Sequence, residues 1–237
     1  MTLPSVAIVV PVLRRPHRAA PLAAIFAATA TGPQHVVFVA NDTDEAEIAA
    51  VEALDDVDLI VIDDRRPGDW ARKVNTAYRL TTDPILLLCG DDVRPRLGWH
   101  DEIANAYAQG WGVIGTQDCG NRRVLAGHHS THPAVARWYA DRHGTVDGPG
   151  TVICEEYDHN YCDAELVETA KARGLWTFCN GAVLEHLHPN WGKATMDDVY
   201  ALGRQCFEAD QRTYHTRELR WRSLSPLPRT AETGGGT

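Results

Sequence analysis

Four short apolar runs, alternating with three helix-like stretches, constrain this chain more than any other feature. The runs are VAIVVPV (6–12), HVVFVAN (35–41), VDLIVIDD (57–64) and PILLLCGDD (84–92). The stretches between them are AAPLAAIFAATA (19–30), TDEAEIAAVEAL (43–54) and DWARKVNTAYRLT (69–81). Apolar runs this continuous suit strands buried on both faces. Strand–helix alternation then predicts an α/β fold with a mostly parallel sheet flanked by helices. Local signals agree. Pro21 is tolerated in a first helical turn. Thr43 or Asp44 can cap the second helix, whose first-turn acids complement its dipole.

In sheets of this kind ligands bind beyond the carboxyl ends of the strands. Each predicted strand ends in polar residues: Leu13 to Arg15, then Asn41 and Asp42, then Asp63 and Asp64, then Asp91 and Asp92. The last pair asks most. A buried strand runs directly into two adjacent carboxylates, which repel each other and are costly to bury unpaired. A compensating cation is expected, and an all-oxygen pair suits Mg²⁺ or Mn²⁺.

The second half reads differently. GWGVIGTQD (110–118) predicts a strand, and residues 116–163 are rich in Gly, His and Arg with little periodicity. DAELVETAKARG (163–174) predicts a helix closed by glycine. LWTFCNGAVLEHLHP (175–189) holds two strand-like runs, and TMDDVYALGRQCFEADQRTY (195–214) a long amphipathic helix. From Ser223 the Pro-, Thr- and Gly-rich sequence predicts a disordered tail over 223–237. His186 and His188 would share a face if both lie on a strand, and imidazole with carboxylate suits Mn²⁺. Glu185 would face the other way. Asp163 stands where the chain enters a helix, with Glu165 in the first turn. Asp163 is either a helix cap or a base that takes a proton from an attacking hydroxyl. The run HHSTHP (128–133) has no HExxH-like spacing and reads as a solvated loop.

Composition narrows the class. A formal charge of −9 argues against coating nucleic acid or an anionic membrane through bulk electrostatics. No run approaches the roughly 18 apolar residues of a membrane span. The N-terminus is too short, and its basic residues are on the wrong side, for a signal peptide. The six cysteines form no CxxC pair, which suits structural thiols in a reducing cytoplasm.

The ordered set PVLRRP, VANDTD, KVNTAY, CGDDV, DAEL and HLHP resembles the GT-A-fold glycosyltransferases, most nearly family 2 and its phage-encoded members, over about residues 5–200. The resemblance implies one transferase domain over 1–222, with a nucleotide-sugar half (about 1–115) and an acceptor half (116–222). It implies a metal-dependent, inverting transfer of a sugar from a UDP- or GDP-sugar, with Mn²⁺ or Mg²⁺, to a hydroxyl. Pro11, Val12, Leu13, Arg14 and Arg15 would line the nucleotide pocket. Asn41, Asp42 and Asp63 would meet the ribose or base, and Lys73 and Asn75 the nucleotide or its diphosphate. Asp92 would hold the metal together with His186 or His188, and Asp91 would lie near the ribose or sugar. Asp163 would be the base, with Glu165 its rival. Gly90 replaces the first acid of the usual DxD element, and Cys162 the acid that usually precedes the base.

Two alternatives keep the fold. A nucleotidyltransferase would want a glycine-rich loop after the first strand, and PVLRRPHR has none. A non-catalytic nucleotide- or glycan-binding module would not need acid, histidines and base together. The resemblance implies an acceptor that is a protein, a glycan or, as in phage DNA modification, a hydroxymethylpyrimidine. The DNA alternative rests on Arg122, Arg123, Arg137, Arg142, Arg212, Arg217, Arg220 and Arg222 interleaved with Trp138, Tyr139, Tyr214 and Trp221.

Overall fold

The computed structural model describes residues 3–66 and 69–229. The four apolar runs are strands β1 (Val6–Pro11), β2 (Gln34–Asn41), β3 (Val57–Ile62) and β4 (Ile85–Leu88). β1 pairs in parallel with β2 and with β4, and β2 pairs in parallel with β3. Helices α1 (Ala19–Thr29), α2 (Glu45–Glu52) and α3 (Trp70–Leu80) make the crossovers. Asp44 caps α2 by accepting from the Glu47 amide. Every residue of β4 is buried. Leu86 and Leu88 join the apolar cluster on one face of the sheet, Ile85 and Leu87 the cluster on the other. That two-sided burial is why the run is apolar throughout.

The remaining elements are β5 (Val93–Pro95), α4 (Trp99–Ala108), β6 (Val113–Gln117), α5 (Arg122–Leu125), β7 (Ala134–Ala136), α6 (Arg137–Arg142), α7 (Cys162–Ala172), β8 (Trp176–His186) and α8 (Asp198–Arg222). The strand order is β3-β2-β1-β4-β7-β6-β8-β5. Short β7 runs antiparallel to both β4 and β6, and so inserts residues 128–136 beside the end of β4.

The two strand-like runs expected over 175–189 are one strand. β8 pairs in parallel with β6 up to Cys179, shifts register opposite Thr116 and Gln117, and then pairs antiparallel with β5. The last pairing sets His186 opposite Val93, next to Asp92.

Three other expectations change. α4 was not anticipated, and α8 runs eight residues beyond Tyr214, to Arg222. Part of the described tail is held against the domain, although most of its residues are exposed. The Leu227 amide donates to the Arg173 carbonyl at 2.7 Å, Leu227 packs on the core, and Arg229 lies 4.3 Å over the Trp111 ring. Residues 230–237, the rest of the predicted disordered tail, lie outside the described residues. Among those described, no helix is long and apolar enough to cross a membrane.

Candidate active site

β4 delivers Gly90, Asp91 and Asp92 to the carboxyl edge of the sheet, where a cavity of about 400 Å³ opens. Of the residues singled out in the sequence, Pro11, Val12, Leu13, Arg15, Asp91, Asp92, Asp163, His186 and His188 line it. The two acids have different partners. Asp91 Oδ1 accepts from Arg15 Nη1 at 2.9 Å and from Arg18 Nη1 at 3.0 Å. Asp92 Oδ2 accepts from the Tyr200 hydroxyl at 2.8 Å and lies 3.2 Å from His186 Nε2. Burial and the charge of Asp92 raise the pKa of Asp91. Burial opposes ionisation of Asp92 too, but His186 and Tyr200 outweigh it and hold that carboxyl well below its usual range. A Cβ on Gly90 would stand 2.7 Å from Asp92 Oδ1, so a larger residue there would have to displace that carboxylate.

Asp92, His132 and His186 each offer one ligand atom within 4.8 Å of the others. His132 Nε2 and His186 Nδ1 are buried and have no hydrogen-bond partner. Buried polar atoms are rarely left so. His186 turns Nε2 to Asp92 and leaves Nδ1 on the other side of its ring; the unpartnered His132 Nε2, grouped with that pair, fits a divalent cation. Burial, reinforced by His186, pushes the pKa of His132 down to about 3, which keeps it in the neutral form that ligates metals.

His132, rather than His188, groups with Asp92 and His186. β8 ends at His186, so the same-face rule for residues two apart no longer applies at His188. His188 Nδ1 instead accepts from the Asn190 amide at 3.1 Å, and its ring packs edge-on to Tyr200. The histidine run is not a solvated loop either. His128 is exposed, but His129, Ser130 and His132 are buried. The Thr116 amide donates to Ser130 Oγ at 2.9 Å, and Thr116 Oγ1 donates to the His132 carbonyl at 2.6 Å. Three histidines within five residues were the available signal, read without knowing which strand they adjoin.

α7 forms the facing wall. Tyr161 caps it in the left-handed conformation (φ +64°), so Asp163 sits one residue inside the helix rather than at its cap. Asp163 Oδ1 accepts from the Ala164 amide at 2.8 Å, and Oδ2 lies 3.1 Å from His129 Nε2. Burial works to raise the pKa of Asp163, but His129 lowers it on balance. Glu165 does not reach the cavity. It accepts from the Tyr157 hydroxyl at 2.7 Å and from Arg217 Nε and Nη2 at 2.7 and 2.8 Å. A grouping of Asp147, Cys154 and Glu165 surrounds that same guanidinium, which already neutralises it. Cys162 lines the cavity, but burial pushes its thiol pKa far up, against nucleophilic use.

The remaining expected contacts lie outside the cavity wall. Arg14 is exposed, its amide donating to Asp44 Oδ2. Asn41 and Asp42 bond to Asp64, and Asp63 accepts from Arg65 and Arg72. Asn75 braces the 152–155 segment through four hydrogen bonds. Lys73 is fully buried, and Nζ donates to the Val12 carbonyl at 2.7 Å, so it shapes the pocket from behind. Missed from the sequence were Arg18, Asp197 and Tyr200. Arg15 Nε and Nη2 grip the Asp197 carboxylate at 2.9 and 2.7 Å, which pins the start of α8 over the site. The arginine–aromatic pattern of the second half mixes buried and exposed residues, with Arg122, Arg123, Arg142, Arg212, Arg220 and Arg222 exposed. Arg137 donates to Tyr78, Thr81 and Asp83, Arg217 and Arg220 bind acids, and Trp138, Tyr139 and Trp221 are buried.

Lys73 carries a pH prediction. Burial lowers its folded-state pKa from 10.5 to about 8. Between those values the unfolded chain holds a proton that the folded chain has released, so this group adds stability as pH rises through that window. Wild-type stability should therefore rise relative to Lys73→Met from about pH 8 to pH 10.5 in parallel denaturant titrations. Parallel curves for the two proteins would refute it.

No family model and no curated protein sequence matches this chain. Solved structures do. The mannosyltransferase PcManGT from Pyrobaculum calidifontis, in complex with GDP-Man and Mn²⁺, superposes with a TM-score of 0.64 at 17% identity, over 93% of this chain. This chain spans 65% of that protein's length. Glucosyl-3-phosphoglycerate synthase from Mycobacterium tuberculosis, with Mn²⁺, UDP and phosphoglyceric acid, gives 0.59 at 12% identity, over 93% of this chain and 79% of the other. Mannosyl-3-phosphoglycerate synthase from Rubrobacter xylanophilus gives 0.59 at 10% identity, over 99% and 79%. At these identities the likeness is one of architecture. The chain has the GT-A fold, as the resemblance of its ordered motifs implied.

Proposed function

We propose that this chain is a metal-dependent glycosyltransferase that moves a sugar from a nucleotide diphosphate sugar to a hydroxyl acceptor. The observation that carries this reading is the Asp92–His132–His186 cluster, with the buried His132 Nε2 unpartnered, set at the carboxyl edge of a GT-A sheet. The similar structures support it, since they hold Mn²⁺ with GDP-Man or with UDP.

Asp92, His132 and His186 would hold Mn²⁺ or Mg²⁺. Such an ion supplies positive charge to the oxygens of a departing diphosphate. Arg15 and Arg18 add fixed cations beside Asp91. Pro11 to Leu13 would take the nucleotide of a UDP- or GDP-sugar along the end of β1. Asp163, ionised on the facing wall, would accept the acceptor hydroxyl's proton as that oxygen attacks, with inversion at the anomeric carbon.

Calorimetric titration with UDP-glucose and GDP-mannose, with and without Mn²⁺, tests the assignment. At least one donor should bind, and only with Mn²⁺. Asp92→Asn and His132→Ala should each abolish that binding while leaving the far-UV circular dichroism unchanged. Metal-independent binding, or variants that bind like wild type, would sink the reading.

A further inference from the structure

We infer that His129 is a positioning residue for Asp163, and that the two work as a hydrogen-bonded pair at the attacking hydroxyl. This rests on the glycosyltransferase reading and adds a residue to it. Both side chains line the cavity. His129 Nε2 meets Asp163 Oδ2 at 3.1 Å, and the Ala164 amide holds Oδ1 at 2.8 Å, so both carboxylate oxygens are anchored.

The contact is built into the backbone. Lys171, on the same helix as Asp163, donates through Nζ to the His128 carbonyl at 2.6 Å. The His128 amide donates to the Arg123 carbonyl, and Ser130 bonds to Thr116 of β6. His129 is therefore clamped on both sides while its own Nδ1 stays buried without a partner. A histidine serving packing alone would not hold a bare nitrogen in the interior. Aiming Nε2–H at the carboxylate accounts for that arrangement.

The pair answers a chemical need. A base must be ionised before it can take a proton, and Asp163 is held in a wall whose burial opposes ionisation. A hydrogen bond to the charged form offsets this. The other titratable groups facing Asp163 are His132, His159 and Cys162. In the transfer, the acceptor O–H bond breaks and its electron pair forms the new bond to the anomeric carbon. The bond from that carbon to the diphosphate oxygen breaks, and its pair leaves with the diphosphate. The proton passes to Asp163 and then to solvent on product release. His129 keeps its Nε2–H throughout.

The test compares wild type, His129→Leu and His129→Gln, the last keeping an N–H donor. Nucleoside diphosphate release from UDP-glucose or GDP-mannose with Mn²⁺, water serving as acceptor, should fall about 10- to 100-fold in His129→Leu and largely recover in His129→Gln. Donor affinity should not change. The midpoint of Asp163 ionisation, followed by the ¹³C shift of its carboxyl carbon, should move up by about one pH unit in His129→Leu. An unmoved midpoint overturns the pair. So does a folded His129→Gln that performs no better than His129→Leu. If wild type neither binds nor hydrolyses either donor, the glycosyltransferase reading fails, while the Asp163 midpoint still decides the pair.

Discussion

Asp163→Asn should lower nucleoside diphosphate release from the donor by about 10²–10⁴-fold, the usual contribution of a general base, with Mn²⁺-dependent donor binding intact. The amide nearly matches the carboxylate in size and can still accept from the Ala164 amide, so the cost falls on proton transfer rather than on packing. Asp163 stands on α7, across the cavity from Asp92 and its histidines, and its carboxyl is held below the ordinary range by His129. Equal rates for variant and wild type would remove it as the base. Loss of transfer in a stably folded Glu165→Gln would point instead to the neighbouring acid, against the contacts Glu165 makes with Tyr157 and Arg217.

Arg217→Met is expected to cost about 3–5 kcal/mol, because it leaves Glu165 buried and uncompensated. For a chain of this size that corresponds to a fall in Tm of roughly 6–20 °C. Arg217 is 1% exposed, and it binds three acids: Glu165 on α7, and Asp147 and Glu156 in the loop before it. Asp147 and Glu156 are well solvated, so most of the effect rests on Glu165, whose side chain is 3% exposed. Arg217 ties the far half of α8 to the helix that carries Asp163, while Arg15 and Asp197 tie its start to β1. A variant melting within about 2 °C of wild type would show that the guanidinium is dispensable.

Glu165 and Asp163 show how far a sequence can be read. Both are acids in the first turn of one helix, and helical periodicity alone cannot say which faces solvent and which faces Arg217, 52 residues further on. Lys73 and Asn75 fall outside the cavity wall for the same reason. As polar residues before an acidic strand they match a binding motif, but the packing of α3 turns both inward, one onto the Val12 carbonyl and the other onto residues 152–155.

The elements whose physics is local were legible. β1 to β4 follow from continuous apolar runs, α2 from its capping acid, and the carboxyl-edge cavity from the polar residues that end β1 and β4. Asp91 and Asp92 were recognisable because two adjacent charges after a buried strand demand compensation within their own segment. The identity of that compensation was not encoded locally. Arg15 and Arg18 reach Asp91 only because β1 lies beside β4. His132 reaches Asp92 only because β7 is inserted antiparallel between β4 and β6. His186 arrives through a register shift that carries β8 from one partner strand to another, and His188 falls outside the grouping because the strand has ended by then. Sequence periodicity records which face of an element is apolar. Which charged and ligating groups meet across that face depends on strand order and register, and those are set by the packing of the whole sheet.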